Sequence, residues 1–172
     1  KEFGLNEIKT DGIDAIIAAD SGMDFLYENG VTPDIIVGDF DSATTNALEY
    51  FERKGQTEIR RLNPIKDDTD TEYAIRLAIS EGARSIVVLG ATGSRIDHVL
   101  GNISLLGIGL ESGTDICIID TNNRIRMADK PVTIEKSAQY GRFVSLIAVT
   151  DDNEVSLKGF KYPVTDYSFD RF

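Results

Sequence analysis

The stretch Pro33–Thr44, PDIIVGDFDSAT, decides how the rest of the chain is read. Ile35, Ile36 and Val37 form a run apolar enough to lie inside a sheet, and the run ends in Asp39 and Asp41. Side chains two apart on an extended strand share a face. Two carboxylates on one face repel each other, so the spacing predicts a positive charge held between them.

Outward from this stretch, strand and helix signals alternate. DAIIAAD (Asp14–Asp20) is a short apolar run closed by an acid, and MDFLYENG after it fits a helix stopped by Gly30. TNALEYFERKG reads as a helix ending at Gly55, and TEIRRL as a weaker strand. TDTEYAIRLAISEG is the best-marked helix, with Thr69 and Glu72 spaced as a capping box and Gly82 as the stop. SIVVLG is a fourth strand. RIDHVLGNISLLGIGL places Ile96, Val99, Leu100, Ile103 and Leu106 at helical spacing, and TDICIID is a fifth strand.

Such alternation predicts an α/β domain, a mostly parallel sheet with helices on both faces. Beyond the turn signal Thr121–Asn123 the helical period disappears. NRIRMAD, PVTIEK, GRFVSLIAVT and NEVSLKGF are strand-like pieces, which predicts a smaller antiparallel, sandwich-like β domain. The expected domains are 1–121 and 122–172.

Composition bounds the partners. The 172 residues carry 18 Lys plus Arg against 29 Asp plus Glu, a net charge of −11, which argues against nucleic acid or an anionic membrane as partner. No apolar run approaches a membrane span and no signal peptide is visible, so a cytoplasmic protein is expected. The single cysteine, Cys117, lies in an apolar strand and reads as a buried structural thiol. The chain starts at Lys1 without a Met and stops at Phe172 in an aromatic-rich stretch, so the natural protein is expected to extend beyond both ends.

In an open parallel sheet, ligands bind beyond the carboxyl ends of the strands. Acids gather at those ends: Asp20, Asp39 and Asp41, the KDDTD run Lys66–Asp70, and Asp97. Magnesium takes oxygen ligands, commonly one or two carboxylates with water and phosphate oxygens. A magnesium ion on Asp39 and Asp41 that also holds a nucleotide triphosphate answers the charge question raised by PDIIVGDFDSAT. Each acid also has a plainer reading: Asp70 and Asp97 suit a helix dipole, and Asp41 suits an N-cap. The turn GATGSRIDH (Gly90–His98) offers bare amides at a strand-to-helix junction and the guanidinium of Arg95, a combination suited to phosphate. It is neither a Walker A loop nor GxGxxG. His98, the one histidine, is not assigned to catalysis.

AADSG, PDIIVGDFDS, KDDTDTEYAIRLA and GATGSRIDHVLGNISLL occur in the order and spacing of thiamine pyrophosphokinase (thiamine diphosphokinase), and the sequence resembles the bacterial branch of that family. The match is strong from Ile13 to about Leu106, and IDTNNRIRM and SLKGFKYPV extend it weakly. The resemblance implies transfer of pyrophosphate from ATP to the hydroxyl of thiamine, giving thiamine diphosphate and AMP. It implies a homodimer with thiamine bound between the catalytic domain of one subunit and the sandwich of the other. Carried over by position, Asp39, Asp41 and Asp70 resemble the magnesium ligands, and Asp20, Asp67 and Asp97 the other site acids. Gly22, Thr92, Gly93 and Arg95 look like nucleotide contacts, and Lys66 stands where a polar substrate-side residue is usual. Asp97, Asp67 or water would take the thiamine hydroxyl proton. Ser21 and Ser94 stand where the family commonly has a second glycine. The family's glycine-bearing first strand and its Ser-x-Asn segment are missing from this sequence.

Two rival readings accompany this one. IIVGDFDS also imitates a haloacid dehalogenase-type phosphohydrolase, in which Asp39 would be the nucleophile. The same acids would also serve a non-enzymatic nucleotide- or thiamine-binding module.

Overall fold

The computed structural model describes residues 2–9, 12–40, 45–63 and 68–171. A first helix, α1 (Glu2–Ile8), precedes the first strand and carries no periodic signal strong enough to predict it. Then follow β1 (Ile17–Ala19), α2 (Gly22–Glu28), β2 (Ile35–Gly38), α3 (Thr45–Lys54), β3 (Glu58–Arg61) and α4 (Asp70–Ser80). After these come β4 (Ser85–Leu89), α5 (Ile96–Ser104), α6 (Leu106–Ser112), β5 (Asp115–Ile119) and β6 (Arg124–Arg126). The expected alternation is present.

The strands form two hydrogen-bonded sets in this unit. β1, β2 and β3 are parallel and lie in that order, with Ile17 opposite Ile35 and Ile36 opposite Ile59. β4 and β5 are parallel, in register from Ser85–Asp115 to Leu89–Ile119, and β6 joins β5 antiparallel. Ala18 and Ile36 share a core with Met23 and Leu26 of α2 and Ala47 and Phe51 of α3. Val37, one residue on, must face the other way, and it too is fully buried. α4 packs on β1 and β2, and its Ile75 joins a second core with Leu106, Ile116 and Ile118. Helices thus cover the parallel strands, and continuously apolar strands such as IIV and ICII follow from burial on both faces. Cys117 is buried in β5, where burial pushes its thiol pKa up.

Three sequence expectations change. RIDHVLGNISLLGIGL is two helices, with a break at Leu105. The second one ends at Gly113, whose φ of +74° is a left-handed helix stop. NRIRMAD contributes β6 to the sheet of β5, not to a separate β unit. PVTIEK and GRFVSLIAVT form no strand: over 131–149 the regular structure is one 3₁₀ turn, Lys136–Ala138. A strand exists only with a partner to receive its ladder, and apolar content alone does not supply one.

The chain divides into two compact units, 1–140 and 141–172, so residues 122–140 stay with the first. Its last residue, Tyr140, donates its hydroxyl to the carbonyl of Asp120 and packs under the Arg124 guanidinium. The second unit holds β7 (Asn153–Leu157) and β8 (Val164–Phe169), an antiparallel pair with a bulge between Val155 and Leu157. No helix among the described residues is long and apolar enough to cross a membrane.

Candidate active site

β1 and β2 end side by side, so the residues that follow them share one edge. The Asp20 amide donates to the Val37 carbonyl at 2.8 Å, fixing the turn after β1 against the end of β2. Two non-glycine residues there have left-handed backbone: Asp20 at φ +45° and Phe40 at φ +64°. Such conformations are uncommon outside glycine, costly for a bulky residue, and concentrate at functional sites. The guanidinium of Arg61 stands 5.4 Å from the centre of the Phe40 ring.

α4 delivers a third acid to the same edge. Thr69 is its N-cap, and the Thr69 hydroxyl accepts the Glu72 amide at 3.1 Å. The reciprocal arm of the capping box is not made, because Glu72 turns its carboxylate to Arg76 at 2.7 Å. Asp70 therefore occupies the first position of a capped helix. The outcome is a triad: carboxylate oxygens of Asp20, Asp39 and Asp70 lie within 4.8 Å of one another, all three residues half-buried. Two of them are expected metal ligands, and Asp20 joins them from the other expected site acids. Asp41, Lys66 and Asp67 lie outside the described residues. Gly22 opens α2 and is exposed.

The second half of the edge lies after β4. Gly90, at φ +76°, turns the chain out of the strand. Ala91 is buried, and Asn102 of α5 donates to its carbonyl at 3.0 Å. Arg95 is the N-cap of α5 without a side-chain cap bond. Its guanidinium instead grips Asp97, Nη2 to Oδ2 at 2.5 Å and Nε to Oδ1 at 3.2 Å. That contact first, with the His98 amide adding to it, lowers the Asp97 pKa from 3.8 to about 2 against the opposing effect of desolvation. Thr92 is half-buried, while Gly93, Arg95, Asp97 and His98 are exposed.

Two residues at this edge are missing from the sequence-based set. Asp120 closes β5 as Asp20 closes β1, a signal that the TNN turn after it overshadows. Asn102 carries no sequence signal, because only the packing of α5 brings it to Ala91.

Carboxylates converging at the carboxyl edge of parallel strands, beside a glycine-flanked helix start, fit polyphosphate chemistry. The sequence comparisons agree. The family described as "Thiamin pyrophosphokinase, catalytic domain" matches residues 9–118. The chain belongs to the thiamine pyrophosphokinase family. "Thiamin pyrophosphokinase, vitamin B1 binding domain" matches residues 131–171. A thiamine pyrophosphokinase of Bacillus subtilis is 36% identical over 152 residues, covering 87% of this chain and 70% of that protein.

Solved structures place the fold in the same family. The Bacillus subtilis thiamine pyrophosphokinase superposes with a TM-score of 0.83 at 31% identity, over 96% of this chain and 77% of its own. That of Geobacillus thermodenitrificans gives 0.77 at 28% identity, over 97% and 76%. Family membership makes the chain a diphosphotransferase by class. The haloacid dehalogenase alternative finds no support in these matches.

Proposed function

We propose that this protein transfers the pyrophosphoryl group of ATP to the hydroxyl of thiamine, releasing AMP and thiamine diphosphate, with magnesium as the resident ion. The observation that carries the reading is the convergence of Asp20, Asp39 and Asp70 within 4.8 Å. Three anions this close repel one another in the absence of a cation. Their donor set is all oxygen, which suits a hard divalent ion with coordination positions left for water and phosphate.

Asp39, Asp41 and Asp70 would hold the ion, with Asp20 as a further acid beside Asp39 and Asp70. When bound there, magnesium supplies charge neutralisation for the polyphosphate oxygens. The chain's own residues do the rest. The loop after β4, with Gly93 and the exposed amides opening α5, accepts phosphate oxygens, and Arg95 turns from Asp97 toward them. Gly22, Thr92, Lys66 and Asp67 complete the nucleotide side. Asp97, Asp67 or water takes the thiamine hydroxyl proton. Thiamine recognition belongs to the stretch 131–171 that matches the vitamin B1 binding domain. The division of roles is proposed to fall at 121/122, catalytic before and thiamine-binding after, whereas the compact units divide at 140/141.

The working protein is proposed to be a cytoplasmic homodimer without a nucleic-acid or membrane partner, in keeping with its net charge of −11. Full-length protein incubated with ATP, magnesium and thiamine should yield AMP and thiamine diphosphate in equal amounts. Absence of AMP from folded protein refutes the activity, and an aspartyl-phosphate on Asp39 during turnover would point to a different reaction. Sedimentation at micromolar concentration tests the dimer.

A further inference from the structure

Phe40 holds a backbone conformation that its side chain makes costly. Its φ is +64°, in the left-handed region, which a bulky residue enters only as an outlier. Glycine would adopt the same angle freely. Strain of this kind persists only where the surroundings over-determine it, and here they do. The ring is half-buried against the core of Ala18, Met23, Leu26, Ile36, Ala47 and Phe51. It folds back over Gly38, so near that a Cβ there would meet its edge at 3.1 and 3.2 Å.

Arg61 adds a third contact. Its guanidinium stands 5.4 Å from the ring centre and donates to the Glu52 carboxylate of α3 at 2.6 Å. Arg61 and Gly38 are register partners, and the Leu62 amide donates to the Gly38 carbonyl at 2.9 Å, so β3 fixes the cation beside the ring. A ring in the core needs no strained backbone, since an ordinary strand position would bury it equally well. The strain falls on the residue directly after Asp39, which is half-buried and brings a carboxylate oxygen within 4.8 Å of those of Asp20 and Asp70. β2 ends at Gly38, so a left-handed residue at 40 turns the chain out of the strand immediately beyond Asp39.

We propose that Phe40 is a positioning residue for the acid triad: its anchored ring holds the left-handed turn that keeps the Asp39 carboxylate beside Asp20 and Asp70, and Arg61 braces the ring. An extended residue at 40 would carry the chain straight on along the strand. Three carboxylates at this spacing repel one another in the absence of a cation, so Asp39 moves away unless its backbone is fixed. The anchor works against that repulsion and pre-organises the site before an ion arrives. The magnesium at the triad rests on the proposed function; the turn that Phe40 holds does not.

Three variants isolate the anchor. Phe40→Gly accepts the left-handed turn without strain but removes the ring, Phe40→Tyr keeps the ring, and Arg61→Met keeps the stem without the guanidinium. Magnesium alone is titrated calorimetrically into the full-length protein. Phe40→Gly should raise the magnesium Kd about 10- to 100-fold, the usual effect of loosening the support of a metal ligand. Arg61→Met should raise it about threefold, the worth of one exposed cation–π contact, and Phe40→Tyr should restore the parental value. Phe40→Gly combined with Arg61→Met should be no worse than Phe40→Gly alone. A lower melting temperature with an unchanged Kd in Phe40→Gly means a purely structural ring and overturns the proposal. Additive losses in the double variant overturn the part given to Arg61. Metal-free crystal structures supply a second readout: Asp39 should lie with Asp20 and Asp70 in the parent and move away from them in Phe40→Gly. An Asp39 that keeps its place in that variant overturns the proposal whether or not magnesium binds. A parent that binds no magnesium refutes the metal reading alone and leaves the crystal structures to decide. The Arg61 side chain is mostly exposed, so Arg61→Met keeps the fold and decides by the same two measurements if Phe40→Gly does not fold.

Discussion

Gly38 and Asp20 come so close that a methyl group on Gly38 would be tightly crowded against the Asp20 backbone. A Cβ on Gly38 would stand 3.2 Å from the Cα of Asp20 and 3.1 Å from the Phe40 ring. The ring can rotate away, but the backbone of Asp20 is tied to Val37. The glycine in IIVGD is therefore what allows β2 to run past the turn that carries Asp20. Gly38→Ala should destabilise the protein by about 1–3 kcal/mol, the usual range for overpacking. It should also push Asp20 away from Asp39 and weaken magnesium binding. Thermal melts with and without magnesium check both effects, and an unaltered magnesium-dependent shift would contradict the second.

Asp39→Asn and Asp70→Asn keep side-chain shape and remove charge. Each should abolish magnesium-dependent turnover while the metal-free melting temperature holds or rises, because a like-charge repulsion is relieved. Magnesium at one hundred times its Kd stabilises a folded protein by about 2.7 kcal/mol. That increment should be present in the parent protein and absent in both variants. Calorimetry with and without the ion measures it.

Thr69→Ala removes the side-chain cap of α4 and should cost about 1 kcal/mol. A purely structural cap would lower stability alone. Because Asp70 is the next residue, fraying of this turn should also reduce magnesium affinity. A variant that loses stability but binds magnesium as tightly as the parent would separate the cap from the site.

The Arg95–Asp97 pair sets a pH dependence. Asp97 titrates at about 2 in the folded protein, below its ordinary 3.8. A lowered carboxyl pKa means that the pair is complete above pH ~4 and is lost as pH falls toward 2. Nuclear magnetic resonance of the Asp97 carboxyl carbon should show that low midpoint, and Arg95→Ala should return it toward 3.8. Both side chains are mostly exposed, so Arg95→Ala should scarcely move the melting temperature while it reduces turnover. A wild-type midpoint near 4 would refute the pairing in solution.

Much of this is legible in the sequence. The order of strands and helices, the Thr69 cap, the glycine stops and the acids that close apolar runs all follow from local chemistry acting over a few residues. Asp39 and Asp70 read as acids at strand and helix ends, where α/β sheets place ligands. The break at Leu105 was not legible, since both flanking segments are apolar at helical spacing. Nor was the loss of strand structure over 131–149, because strand propensity is realised only when a partner edge is present.

Local chemistry along the chain sets most of the elements of the α/β part, their stops and the acids at their ends. Which of those ends meet is settled by the packing of the fold. Asp20 joins Asp39 and Asp70 because β1 is laid beside β2 and α4 crosses both. The end of β5 lies beside the end of β4, thirty residues earlier along the chain, because Leu89 and Ile119 are register partners. Periodicity reports the face of a residue within its own element. Sheet order is a choice among pairings of similar local strands, settled by how helices and cores pack over them, so proximity between distant carboxylates is a property of the assembled fold.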